Sequence, residues 1–196
     1  MLSAILDRRS IRKYRDTCVD KRIIEEVLHA GSLAPSSKNR QPWRFIVVTG
    51  DAKTDMLRAM KRGLEREKEN PLLPESFRYH GGAEYTIQIM EQAPVVIFVV
   101  NSLGIDIHRQ LNPEERIYEI CNAQSIGAAM ENMTLTATEH GLGSLWICDT
   151  YFAYDELNHW LDVDGELIAA MTIGYADEAP LPRPRKKLSD IVEWRG

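Results

Sequence analysis

Apolar positions recur along the chain in two rhythms, and the changes of rhythm mark out the elements. Ile23, Ile24, Val27 and Leu28 share one face of a helix predicted from Asp20 to about Ala30, with Gly31 as its stop. A shorter helix is predicted over Ser3 to Arg9 with Ser3 as N-cap. Four apolar stretches read as strands: Trp43 to Thr49, Pro94 to Val100, Ser144 to Cys148 and Leu167 to Ile173. Further helices are predicted after Asp51 into the 60s, over Glu84 to Glu91, and over Asp155 to Leu161.

The longest helix has the clearest punctuation. Asn112 caps it, Pro113 takes its first position, and Glu114 and Glu115 complement the dipole of its first turn. It continues to His140, where Gly141 stops it, a span of about 40 Å. Ile117, Ile120, Cys121, Ile126, Ala128, Ala129, Met130 and Met133 leave no single wet face. Such a helix needs cover on more than one side, from its own core or from a second subunit.

Two segments break the rhythm. Residues 67–85 are polar and interrupted by Pro71, Pro74, Gly81 and Gly82, which reads as an excursion or lid within one domain. The tail 180–196 is irregular and basic, yet carries Ile191, Val192 and Trp194, as a docking arm would.

Charge adds one local feature. The net charge of -5 argues against a dedicated nucleic-acid binder. Arg8, Arg9, Arg12, Lys13 and Arg15 nevertheless crowd one end, and Arg183, Arg185, Lys186 and Lys187 the other. Charge alone favours two solvated faces over a shared anion site. The three cysteines lack CxxC spacing, which fits a reducing cytoplasm. No apolar run approaches the roughly 20 residues of a membrane span, so no membrane partner is expected.

Familiar catalytic signatures are missing. There is no phosphate loop of the GxxxxGK[ST] kind, and Gly141-Leu142-Gly143 does not extend to GxGxxG. The five histidines show no metal-ligand spacing, and Ser36 and Ser37 lack a GxSxG setting. No metal site and no side-chain nucleophile are expected.

Three segments together point elsewhere: Arg8-Arg9-Ser10-Ile11-Arg12-Lys13-Tyr14, Ala34-Pro35-Ser36-Ser37-Lys38-Asn39-Arg40-Gln41-Pro42-Trp43, and Gly141-Leu142-Gly143-Ser144-Leu145-Trp146-Ile147. In order and spacing they resemble the nitroreductase family of FMN enzymes, over essentially the whole chain. Arg183-Pro184-Arg185, followed by Leu188, Ile191 and Val192, fits the family's C-terminal pattern. The resemblance implies an α+β fold: a three-layer sandwich with a mainly antiparallel sheet flanked by helices. It also implies a homodimer with a swapped C-terminal tail and FMN at the subunit interface.

The resemblance also assigns roles. Arg8, Arg9 and Ser10 would hold the FMN phosphate, with Arg185 and Arg183 returning from the other end; arginine forks suit a dianion. Arg12 would face the pole of the flavin ring that gains negative charge on reduction. Pro35, Ser36, Ser37 and Asn39 would reach the ring edge and ribityl chain from the second subunit. Trp146 and Cys148 would pass the ring, although Cys148 stands where a glycine is common. Trp43 reads as a core anchor.

The implied activity is ping-pong electron transfer from NADH or NADPH to small acceptors such as nitroaromatics, quinones or flavins. Phe77, Tyr79 and Tyr85 of the excursion would shape acceptor access. A reductive dehalogenase, a specific metabolite oxidoreductase on the same fold, and a non-catalytic flavin-binding protein are the rival readings.

Overall fold

The computed structural model describes all residues, 1–196. Four strands form one antiparallel sheet: β1 (Trp43–Val48), β2 (Val95–Asn101), β3 (Gly143–Ile147) and β4 (Glu166–Gly174), in the order β1-β2-β4-β3. Six helices surround it: α1 (Ser3–Asp7), α2 (Lys21–Ser32), α3 (Ala52–Glu69), α4 (His80–Gln92), α5 (Pro113–Glu139) and α6 (Tyr154–Leu161).

The central strand β2 explains the layers. Side chains alternate across a strand, so the run Val95 to Val100 serves two cores. Val96, Phe98 and Val100 pack into the layer of α3, α4 and α6. Val95, Ile97 and Val99 pack into the layer of α2 and α5 with Ile126, Met130 and Met133. Both faces are dry, which is why the sequence shows a continuous apolar run rather than alternation. Full burial of each such side chain contributes roughly 1.5–3 kcal/mol. The sheet between two helical layers is the sandwich that the resemblance implied.

The long helix forms as its punctuation indicates. Asn112 Oδ1 accepts from the Glu115 N–H at 3.0 Å, and Glu115 Oε2 accepts from the Asn112 N–H at 3.0 Å, a reciprocal capping box. Asn122, Ile126, Ala129, Met133 and Ala137 face inward at helical spacing. Ile117 and Ile120 stay on the outside, 59% and 52% exposed.

Some boundaries differ from expectation. Leu2, not Ser3, sits at the N-cap of α1. Gly31 does not stop α2, which runs on to Ser32. Its role is packing: a Cβ at Gly31 would lie 2.8 Å from Met133 Cγ, so the glycine lets α2 lie close against α5. The polar stretch after residue 67 is more regular than its prolines suggest. Helix α3 continues to Glu69 and α4 already begins at His80, leaving residues 70–79 between them. Glu67 orders that connection: it is buried, and its carboxylate accepts the N–H groups of Leu72 and Leu73 at 2.8 and 2.9 Å.

The segment before α2 runs along the sheet edge. The Ile11 N–H donates to Ser144 O at 2.9 Å, and Ser10 makes a parallel bridge to Ser144 on β3. Tyr14 is buried farther along, its hydroxyl bonded to Ile11 O at 2.9 Å and to Thr172 Oγ1 at 2.8 Å. Burial pushes that phenol above its ordinary range. The tail from Leu181 onward is exposed throughout.

Candidate functional site

Two glycines of the Gly141-Leu142-Gly143 turn build the ground on which the arginines stand. Gly141 adopts φ +73°, the left-handed conformation that ends α5. A Cβ at Gly143 would sit 2.6 Å from Ile11 Cγ1, so only glycine admits Ile11 against β3. That contact fixes Ser10 and Arg12 on either side. Glu178 fixes the same segment from below, its carboxylate accepting the N–H groups of Arg12 and Lys13. The chain beyond Glu178 then turns back across the arm.

A cleft of about 250 Å³ results, lined by Arg8, Arg9, Ser10 and Arg12 from one end of the chain and by Arg183 and Arg185 from the other. Pro180 to Pro182 supply one wall. The charge balance of this cleft is its main feature. Arg8 Nε has Glu131 at 3.6 Å, but Arg9, Arg12, Arg183 and Arg185 have no carboxylate within 4.0 Å. The guanidinium groups of Arg9, Arg12 and Arg185 are steered by backbone carbonyls instead. Arg9 donates to Leu6 O and Arg8 O, each at 2.7 Å. Arg12 donates to Ser10 O at 3.1 Å, and Arg185 to Arg183 O and Pro184 O at 3.3 and 3.2 Å. Five cations around one cleft with a single carboxylate partner make a site for a multivalent anion.

Trp146 and Cys148 lie on the same sheet edge, within and just beyond β3. Trp146 is half-exposed, its ring over the gap left by Gly127 of α5. Burial around the sulfur pushes the Cys148 thiol up, and the Asp149 charge adds to it.

The structure does not bring the Pro35 to Asn39 loop to this cleft. That loop leads into β1, at the opposite edge of the sheet from β3, three strand spacings or about 14 Å away. Instead it folds over the first half of α5. Ser125 Oγ accepts from the Ser37 N–H at 3.3 Å, and Ser36 Oγ accepts from the Gln41 N–H at 3.0 Å. Lys38, Asn39 and Gln41 all have positive φ, near 50°. Three non-glycine residues in this conformation cost energy, and such strain persists only where the surroundings dictate it.

Sequence reasoning overlooked several contributors. Glu178 sits in an unremarkable acidic turn, and nothing in its spacing tells that it grips a segment 166 positions away. Arg40 stacks on the Tyr118 ring, its Cζ 4.1 Å from the centroid, again through a pairing that no local motif signals. Trp43, read as a core anchor, does pack partly buried against the α2 and α5 layer.

An antiparallel sheet between two helical layers, with an arginine-rich cleft at one edge, defines an α+β sandwich. Residues 5–175 match the model of the Nitroreductase family, and the chain belongs to that family. The family is one of FMN-dependent NAD(P)H oxidoreductases, which sets the class of this enzyme. A nitrobenzene nitroreductase from Ectopseudomonas oleovorans is 26% identical, covering 95% of this chain and 91% of that protein. A Desulfovibrio desulfuricans protein assigned to the nitroreductases and solved in complex with FMN is 28% identical, with a TM-score of 0.71 and coverage of 99% and 95%. A BluB-like flavoprotein from Clostridium difficile 630 shares the fold at a TM-score of 0.80 and 23% identity, covering 99% of this chain and 98% of that one. No helix is long and apolar enough to cross a membrane.

Proposed function

We propose that this chain, as a homodimer, holds FMN between its subunits and carries electrons from NADH or NADPH to small acceptors, nitroaromatics, quinones or flavins among them, in ping-pong order. The observation that carries the reading is the cleft where five arginines from both chain ends meet with a single carboxylate partner among them. Its donor set fits a phosphate dianion: several forked guanidinium groups, one hydroxyl and a wall of prolines. When bound, FMN would supply the redox chemistry that links the nicotinamide donor to the acceptor.

The protein's own residues do the holding and tuning. Arg8, Arg9, Ser10, Arg183 and Arg185 hold the phosphate. Arg12 places a fixed positive charge where the ring becomes negative, which favours the reduced state. Trp146 and the backbone around Cys148 line the ring on the β3 side. Pro35, Ser36, Ser37 and Asn39 close the site from the second subunit.

Two features support a dimer. The serine loop lies at the far edge of its own sheet, so a second copy is needed to bring one to the arginines. The chain also exposes apolar side chains over α1, the outer face of α5 and the tail, including Ile5, Leu6, Ile117, Ile120, Leu188 and Trp194. Patches of this kind mark interaction surfaces, and we assign the arm 180–196 to the partner subunit. Phe77, Tyr79 and Tyr85, all exposed on or beside the 70–79 connection, shape the acceptor's approach.

An absorbance spectrum tests the reading. The purified protein should be yellow, bleach on anaerobic addition of NADH or NADPH, and regain colour with a nitroaromatic or quinone. A colourless protein that takes up no added FMN would refute it.

A further inference from the structure

The loop that closes the site has two cations that FMN does not use. Lys38 and Arg40 flank Asn39, and both bear on the Tyr118 ring of α5: the Arg40 Cζ lies 4.1 Å from its centroid and the Lys38 Nζ 5.9 Å. Neither has a carboxylate within 4.0 Å, and Lys38 makes no side-chain hydrogen bond. The Tyr118 hydroxyl donates to Glu114 at 2.6 Å, which fixes the ring.

The backbone is committed as well. Positive φ at Lys38, Asn39 and Gln41 keeps the loop in one shape, secured by Gln41 Nε2 on Asn39 Oδ1 at 3.3 Å and by Ser37 on Ser125. A strained, anchored loop that stacks two unpaired cations on one aromatic face is a preorganised anion clamp. Within one chain it lies at the other edge of the sheet from the arginine cleft, and neither cation is among the residues assigned above to the FMN phosphate.

We infer that Lys38 and Arg40 grip a phosphate of the incoming nicotinamide dinucleotide and so set donor affinity. The inference rests on the proposed FMN site, because there the serine loop borders the place where the donor must stack. Two phosphates share this chemistry: the 2′-phosphate, found in NADPH alone, and the pyrophosphate, found in both donors.

The test titrates the FMN-loaded dimer with NADP⁺ and, separately, NAD⁺, at low and at moderate salt, for the wild type and for Lys38→Gln, Arg40→Gln and the double variant. The double variant should lose about tenfold in affinity, with a flatter salt dependence. Loss confined to NADP⁺ assigns the 2′-phosphate; equal loss for both assigns the pyrophosphate. Bound-flavin absorbance is read in the same samples. Unchanged affinity for both dinucleotides in a flavin-loaded double variant overturns the inference and leaves the FMN reading intact. Wild-type protein that takes up no FMN overturns both. Should the double variant shed its flavin, Lys38→Gln decides, since its side chain is exposed and makes no hydrogen bond or ion pair; it should weaken binding at least threefold, as expected for roughly half of the clamp.

Discussion

The Glu178 carboxylate accepts the backbone N–H of Arg12, joining segments 166 positions apart and drawing the C-terminal arginines over the N-terminal ones. Lys13 donates to the same oxygen at 3.2 Å. Substituting Glu178→Ala should leave two amides without this partner and loosen the cleft, costing about 1–3 kcal/mol. The expected outcome is FMN affinity lowered by tenfold or more, measured by flavin titration. Glu178→Gln, which keeps an acceptor oxygen, should fall between the variant and the wild type.

The uncompensated charge of the cleft has its own signature. Arg183→Ala and Arg185→Ala should each weaken FMN binding by about tenfold at low salt, as loss of a charged hydrogen bond does. Because part of the attraction is screened by ions, FMN affinity of the wild type should fall with added salt, and each variant should fall less steeply. Equilibrium dialysis at several ionic strengths reads both effects.

Close packing of Ile11 on β3 makes Gly143 intolerant of a side chain. The Cβ of Gly143→Ala would sit within 2.9 Å of three Ile11 atoms. We expect a loss of about 1–3 kcal/mol in thermal or urea unfolding. Ile11→Ala in the same chain should recover part of it, a coupling that two unrelated defects would not show.

Two carboxylates near the connection after β2 give a pH dependence. Burial is the leading cause that raises both Glu119 and Glu166 above the ordinary value of 4.5, and each has an oxygen with no hydrogen-bond partner. The folded chain thus binds these protons more tightly than the unfolded chain. Their favourable contribution is complete below the ordinary carboxylate value and is lost as pH climbs through the raised one. Melting temperature should decline over that interval, and the Glu119→Gln, Glu166→Gln double variant should show a shallower decline.

How much of this was legible in the sequence depends on the range of the interaction. Local rules placed the Asn112 cap of α5 and the four strands because their causes lie within a few residues. Gly31 was misread because its reason is Met133, on another helix about a hundred positions away. The stretch after residue 67 looked like a long excursion because Pro71, Pro74, Gly81 and Gly82 are turn formers, while Glu67 organises the short connection through its buried carboxylate. At the site, both arginine clusters were visible as charge, but charge alone did not say that they meet. The family resemblance supplied that expectation, and the cleft lined by Arg9 and Arg185 now gives it a geometric basis. Glu178, Lys38 and Arg40 went unnoticed, since their partners are set only by the tertiary fold.

The central claim, that arginines of one copy and the serine loop of another complete a single FMN site, is tested most directly by mixing two damaged chains. One carries Arg9→Ala with Arg185→Ala, the other Ser37→Asp with Asn39→Ala; each alone should retain no flavin after gel filtration. Refolded together in equal amounts, half of the dimers are mixed, and each mixed dimer has one intact site of two. Flavin retention of about a quarter of the wild-type level is the expected result. Retention that stays at zero on mixing, with mixed dimers shown to form, would contradict the shared site.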